Sequence, residues 1–420
     1  MSGVAVVGAG PVGLTAALTL ARAGVPVTVF EREAGLARQS RASTFHPATL
    51  DLLDDLGVAE PLIARGRVVD RVQWRDRAGV VLAEMGMGSL DGMTRHPYRL
   101  HAEQSSLTPL LLAALEAEPD ADVRFGTAVD GVAEGGTGVR LRIGQSWARA
   151  KYVVAADGAH STVRGSLGLP FPRAAYPTQA LRVFTDSPLD ELLPRLAPLT
   201  YVRDVGQSCS LLALPDHWRI VVRIPCDARN PLATSSVAAL VRRALPGVSR
   251  PVRVIGADRY GLSRGVLGSF RCGRVLFAGD AAHLTSTAGG LNMNAGIHDA
   301  VELGAVLAEV TAGHAGPAAL DAWAARRRNV LLEHVIPRSE ARVAGVQDRD
   351  SSRLAAAMAG LRAIAGDPQA TRLYLAQASM LDTLPGGMPA SAADTLPGRP
   401  PGRGPDRVLD PVPHHPVRQS

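Results

Sequence analysis

The 420-residue chain is poor in lysine, aromatics and cysteine, and each shortage removes a class of protein. Lys151 is the only lysine among 45 basic residues, and the formal charge is +6. The arginines are scattered, with no stripe of aromatic and basic residues interleaved, which argues against a nucleic-acid partner. Anionic small molecules remain as a reading of the charge. Aromatics make up 4% of the chain, so Leu, Val and Ala must fill the interior. No apolar run reaches the roughly 18 residues that a membrane-spanning helix needs. Cys209, Cys226 and Cys272 are odd in number and far apart, a pattern of neither a disulfide framework nor a zinc site. A reducing cytoplasm is therefore expected. A strand-like run starts at Val4, so no secretory leader is expected.

What is present is glycine at telling places. Residues 4–7 form a short apolar run of buried parallel-strand type, and Gly8-Ala9-Gly10-Pro11-Val12-Gly13 follows. Residues 14–23 then read as a helix closed by Gly24, and 27–30 as a second strand ending at Glu31. This is a βαβ unit with a phosphate-binding turn. Gly8 permits the turn, Gly10 lets a diphosphate approach, and Gly13 lets helix and strand pack closely. Glu31 stands 18 residues after Gly13, near the roughly 20 expected of a ribose-binding acid. Two later segments suit the same ligand: Ala156-Asp157-Gly158-Ala159-His160-Ser161, and Gly279-Asp280-Ala281-Ala282-His283 followed by Gly289-Gly290-Leu291-Asn292-Met293-Asn294. A plain NAD-binding unit would not require the last of these, so a cofactor held from both ends of the chain points to FAD.

Between these landmarks, residues 47–57 and 103–115 read as helices and 67–84 as alternating strand. Residues 123–125 and 139–143 look like strands of a small excursion that returns through 152–156. Strands over 180–185, 209–214 and 218–224 suggest a second sheet of non-Rossmann type. Residues 274–278 return as a buried strand, and 294–309, 317–334 and 353–381 read as helices. Nine of the 30 prolines lie between Pro385 and Pro416, so that segment cannot bury enough apolar surface to fold alone. The expected class is α/β, a Rossmann-like FAD-binding domain with an inserted, mainly β substrate domain and C-terminal helices. The expected division is 1–70, 101–175 and 265–335 for the FAD-binding domain and 71–100 with 176–264 for the substrate domain. C-terminal helices at 336–383 and a disordered Pro/Gly-rich tail at 384–420 complete it.

Together these segments resemble the FAD-dependent aromatic hydroxylases typified by p-hydroxybenzoate hydroxylase, the group A flavoprotein monooxygenases, over about residues 3–382. Gly8 to Gly13 matches that family's ADP-binding motif. Asp157-Gly158 with Ser161, Val163 and Arg164 matches its DG motif, and Gly279-Asp280 its GD motif. Arg41-Ala42 and Gln104 resemble its cofactor-contacting arginine and glutamine. The departures are Ser286 and Thr287 where prolines are common, Leu291 for Gln or Met, and Asn292 for Gly.

The resemblance implies a monooxygenase that uses NADPH or NADH and O2 to hydroxylate a phenolic or related aromatic substrate through a flavin C4a-hydroperoxide. Natural-product tailoring or aromatic degradation is its expected setting, and a homodimer is common in the family. The implied cofactor contacts are Gly8, Gly10, Pro11, Val12, Gly13, Glu31, Arg32, Arg41, Gln104, Asp157, Arg164, Gly279, Asp280, Gly290, Met293 and Asn294. Arg182, Tyr201, Arg203 and Arg223, on substrate-domain strands, are candidates for the pocket. His46 and Tyr98 lie near the expected flavin contacts, and His283 is expected to fix its loop. No metal and no nucleophilic side chain is called for. A flavin oxidase, dehydrogenase or reductase on the same fold is the alternative, since the 286–292 departures alter the flavin loop. A noncatalytic flavin-binding protein is a second.

Overall fold

Three β-branched valines and Ala5 make up Val4–Val7, which is buried at every position and lies at the centre of a six-stranded sheet. The sheet's order is Arg271–Cys272, Val275–Phe277, Tyr152–Ala155, Val4–Val7, Val27–Phe30, Ala121–Arg124, and only the 271–272 edge runs antiparallel. Burial on both faces is what parallel strands covered by helices require. The computed structural model describes residues 3–386 apart from 39–41, 246–247 and 249. The expected disordered tail lies, but for its first three residues, outside the described residues. Helix Pro11–Arg22 crosses the sheet and packs against helix Leu291–Ala312, so the two ends of the cofactor region meet across one core.

The second sheet has eight strands, ordered His283–Leu284, Val254–Val266, Arg173–Thr185, Trp218–Pro225, Cys209–Ala213, Leu199–Val202, Arg71–Arg75, Val81–Gly86. One of its edges is the tail of the GD motif, with Gly265 opposite Leu284 and Val266 opposite His283. The sheet is thereby pinned to the segment that holds Asp280. Its far face, with Leu181, Val183, Ile220, Val222 and Ile224, packs on helix Thr234–Ala244 as a separate apolar cluster.

Three expectations are corrected. Residues 123–125 are no excursion: Val123 pairs in parallel with Val29 at the edge of the main sheet, and the excursion is the three-stranded sheet Gly131–Gly135, Gly138–Ile143, Ser146–Ala150. The single helix over 353–381 is two, Ser351–Ala365 and Pro368–Ala378. Gly366 ends the first, and Asp367 caps the second by accepting from the backbone N–H of Gln369 and Ala370. The third concerns the second sheet, where strand 180–185 is part of the longer Arg173–Thr185 and pairs with Val254–Val266, a strand too polar to show alternation.

Candidate active site

Gly8 has a φ of +105°, and a Cβ there would stand 2.5 Å from the carbonyl oxygen of Ala156. A Cβ on Gly13 would stand 1.9 Å from the Gly8 oxygen, so helix Pro11–Arg22 sits directly on the turn. Gly10 faces open space, and no side chain caps the helix behind it. An uncapped first turn beside free volume is an anion site. Glu31 is aimed by its backbone neighbours: Oε2 accepts from Ala9 N at 2.7 Å and Oε1 from Glu33 N at 2.9 Å.

The second segment converges on this turn from the neighbouring strand. Asp157 Oδ2 accepts from Val163 N at 3.1 Å, while its Oδ1 is buried without a partner. Such an oxygen calls for a donor from a ligand or water. Arg164 spans two of the segments. Its guanidinium donates to Ala281 O at 2.8 Å and Ala159 O at 3.0 Å and stacks 4.0 Å from the Phe171 ring, tying the DG segment to the GD segment.

The GD segment is pressed against the glycine-rich turn. Gly279 has φ +58°, and a Cβ on it would meet Val12 Cγ2 at 2.8 Å; one on Gly296 would meet the same atom at 2.8 Å. From Asp280 a hydrogen-bonded line runs inward. Asn292 Nδ2 donates to Asp280 Oδ1 at 2.7 Å, and Asn292 Oδ1 pairs with His283 Nδ1 at 3.1 Å. His283 Nε2 reaches Asp299 Oδ2 at 2.7 Å, and Arg327 Nε donates to Asp299 Oδ1 at 2.7 Å. His283, Asp299 and Arg327 are fully buried. Burial alone would raise the Asp299 carboxyl, but Arg327 and His283 hold it well below the usual carboxylate range.

Asn294 is a staple for the turn before helix Leu291–Ala312. Its Nδ2 donates to Thr44 O at 2.9 Å and Gly290 O at 2.6 Å, and its Oδ1 accepts from His46 N at 3.0 Å. His46 Nε2 bonds Gly289 O at 2.9 Å, and burial, with Arg99 and Arg342 nearby, holds its imidazole well below its ordinary value. Met293 is buried in the core, Arg32 is exposed beside Glu33, and Gln104 opens helix Gln104–Glu116. Arg41 lies outside the described residues.

Across from this loop, register aligns one row of the eight-stranded sheet: Trp74, Tyr201, Ser210, Val221, Arg182, Asp258. The four candidate pocket residues separate along it. Arg182 is buried and paired with Asp258, its Nε 2.7 Å from Oδ1, under the Tyr260 ring. Arg223 donates to Ser286 Oγ at 2.8 Å, reaching the flavin loop itself. Arg203 is buried over the Tyr201 ring at 5.2 Å. Tyr201 tilts against Trp74 at 5.7 Å, and Tyr374 meets Trp74 edge-on at 6.1 Å.

Sequence reading missed Trp74, Arg99, Arg342 and Tyr374. Arg342 and Tyr374 sit on helices whose polar residues look solvated, and only the fold turns them toward the loop. The departures found by eye acquire roles, since Ser286 receives Arg223 and Asn292 joins Asp280 to His283.

The model of the FAD binding domain family matches residues 1–336. Para-nitrophenol 4-monooxygenase of Pseudomonas sp. (strain WBC-3) is 30% identical over 361 residues, 84% of this chain and 89% of its own. Tetracenomycin B2 monooxygenase-dioxygenase of Streptomyces olivaceus is 32% identical over 361 residues, covering 79% of this chain and 67% of its own. Among solved structures, p-nitrophenol 4-monooxygenase PnpA from Pseudomonas putida DLL-E4 superposes with a TM-score of 0.84 at 28% identity, over 90% of this chain and 98% of that one. The glycine turn, the half-satisfied Asp157 and the Asp280 line follow three neighbouring strands of one sheet, and the chain belongs to the FAD binding domain family as an FAD-dependent aromatic monooxygenase that takes NAD(P)H as co-substrate.

Proposed function

We propose that this enzyme hydroxylates a phenolic ring held between the Gly289–Asn294 turn and the Tyr201–Arg182 face of the eight-stranded sheet. The reading rests on one observation: the sheet that carries the row with Trp74, Tyr201 and Arg182 is joined to the segment ending the proposed FAD cradle through Arg223 and Ser286. The residues present fit FAD. Gly8 and Gly10 leave the uncapped helix end open to a diphosphate, Glu31 suits a ribose, and Asp157 and Asp280 suit the chain beyond it. Bound there, FAD supplies hydride acceptance from NAD(P)H and oxygen activation, and the protein supplies orientation and charge.

The chain's own contributions follow from its geometry. Helix Leu291–Ala312 starts at left-handed Gly290 with no side-chain cap, so its end favours negative charge on a ring placed against it. Arg223 and His46 fix the two sides of that turn, one through Ser286 and one through Gly289. The site division we adopt is 1–70, 101–175 and 265–335 for FAD and 71–100 with 176–264 for substrate. The cofactor contacts we assign are the glycines of the first turn, Glu31, Asp157, Gly279, Asp280 and Gly290. Relatives are named for para-nitrophenol and for tetracenomycin B2, and aromatic degradation or natural-product tailoring is the setting proposed here. Three free cysteines accord with a reducing cytoplasm, and a homodimer is the assembly proposed.

The purified protein should be yellow and keep its flavin absorbance through gel filtration. Candidate phenols should stimulate NAD(P)H oxidation, with one oxygen of labelled O2 appearing in product. Peroxide release with no labelled product from any phenol would instead favour an oxidase.

A further inference from the structure

Three guanidinium groups beside the proposed ring site have no acidic partner. Arg99 is 2% exposed and Arg203 is 9% exposed. Arg203 makes no side-chain hydrogen bond among the described residues, and its Nη1 is buried and unpartnered. Arg99 donates a long bond, 3.3 Å, to Ala378 O and meets the Tyr201 side chain, a neutral partner, while its Nε is unpartnered. Arg342 Nη1 is also buried without a partner, and its guanidinium lies over Gly289, where a Cβ would come within 1.6 Å of it. All three lie within electrostatic reach of Tyr374, and Tyr201 lies between Arg203 and Trp74. No Asp or Glu among the described residues forms an ion pair with any of them. Nearby Arg182, Arg219 and Arg338, by contrast, are each paired with a carboxylate.

Burying one unpaired cation is costly, and here two lie buried beside a third, Arg342, that is half-buried. A protein keeps such a group where a ligand completes it. The walls add a second constraint: Trp74 packs against Tyr201 and Tyr374, and Arg203 lies over the Tyr201 ring, a lining that suits a flat aromatic ligand. Guanidinium forks match planar two-oxygen groups best.

We propose that Arg99, Arg203 and Arg342 form an anion subsite that receives a carboxylate on the aromatic substrate, so that the enzyme selects acidic aromatics over neutral ones. This rests on the proposed hydroxylase function and names the substrate class of that site. Arg342, over Gly289, would lie closest to the flavin loop, with Arg203 and Arg99 farther along the Tyr201 wall. The carboxylate thus sets how deep the ring enters.

The holoenzyme tests this with matched pairs, 4-hydroxybenzoate against 4-hydroxybenzamide and 1-hydroxy-2-naphthoate against its amide, followed by perturbation of the flavin absorbance. The acid of at least one pair should bind about tenfold or more tighter than its amide. Arg203→Met should abolish the preference, and Arg203→Lys should keep part of it. A second readout needs no substrate: Arg203→Met should leave Tm without ligand unchanged or higher, because it removes an uncompensated charge, and added acid should no longer raise it. Equal binding of acid and amide, no binding of any acid, or a sharp fall in Tm for Arg203→Met each overturns the subsite. If flavin is retained and phenols still stimulate NAD(P)H oxidation, only the subsite has failed. If flavin itself is not retained, the hydroxylase reading has failed first.

Discussion

Asp299 shows how much one buried carboxylate can hold. It receives His283 from one side and Arg327 from the other, and Gly279 N donates to it at 3.2 Å. Asp299→Asn keeps the shape but strips one of the two carboxylates that face buried Arg327, leaving Glu302, and removes the charged partner of His283. A loss of about 3–5 kcal/mol is expected, read from the urea unfolding midpoint of the holoenzyme. The buried histidines predict a pH dependence. Burial pushes His101 and His298 down to about 3, and His46 is lowered as well. Each is neutral in the fold while the unfolded chain takes up a proton near pH 6.5. Stability is therefore full above about 6.5 and falls as pH drops toward 3, by up to about 1.4 kcal/mol per unit for each histidine. Urea midpoints at pH 7.5 and pH 5 check this; equal midpoints would contradict the neutral assignment.

At the scale of elements, two helix starts govern the cofactor region. Helix Pro11–Arg22 and helix Leu291–Ala312 approach closely because Gly279 and Gly296 leave room for Val12. Gly279→Ala puts a Cβ at positive φ against Val12, so the GD segment must back away. FAD affinity should weaken by tenfold or more, measured by recovery of free-flavin fluorescence on dilution. The Asn294 staple predicts a different outcome. Asn294→Ala removes three hydrogen bonds from a buried turn and leaves Thr44 O and His46 N unmet, so about 2–4 kcal/mol of stability should go along with affinity. A thermal scan ranks the two apoproteins, since strain at positive φ costs the glycine variant about 1–2 kcal/mol and the lost staple costs more.

For the whole molecule, the proposed cradle makes the cofactor a tie between segments that chain order keeps apart. The glycine turn comes near the start, Asp157 in the middle and Asp280 late, and they meet only because parallel strands Val4–Val7, Tyr152–Ala155 and Val275–Phe277 lie side by side. Ligand that binds only the folded state stabilises it by mass action. FAD at about a hundredfold above Kd should add about 2.7 kcal/mol, seen as a higher Tm than that of the apoprotein. An apoprotein whose Tm ignores added FAD would contradict the three-segment cradle.

Much of that cradle was legible beforehand. Strand, glycines, helix and Glu31 form a local unit whose geometry is set by neighbours in the chain, and Gly279-Asp280 carries its own turn chemistry. The strand Val254–Val266 was not legible, because partial exposure on both faces erases alternation, nor was the break at Gly366-Asp367-Pro368 within a helical composition. The pocket was half visible. Tyr201 and Arg203 stood out as polar residues on strands, but Arg203 became an unpaired cation and Arg182 a paired one only through register, which set Asp258 opposite Arg182 and no acid by Arg203. Local spacing carries the information for a nucleotide turn, since the contacts are short-range. Charge pairing is a property of residues brought together from distant strands and helices, and only the tertiary packing decides which arginines are left for a ligand.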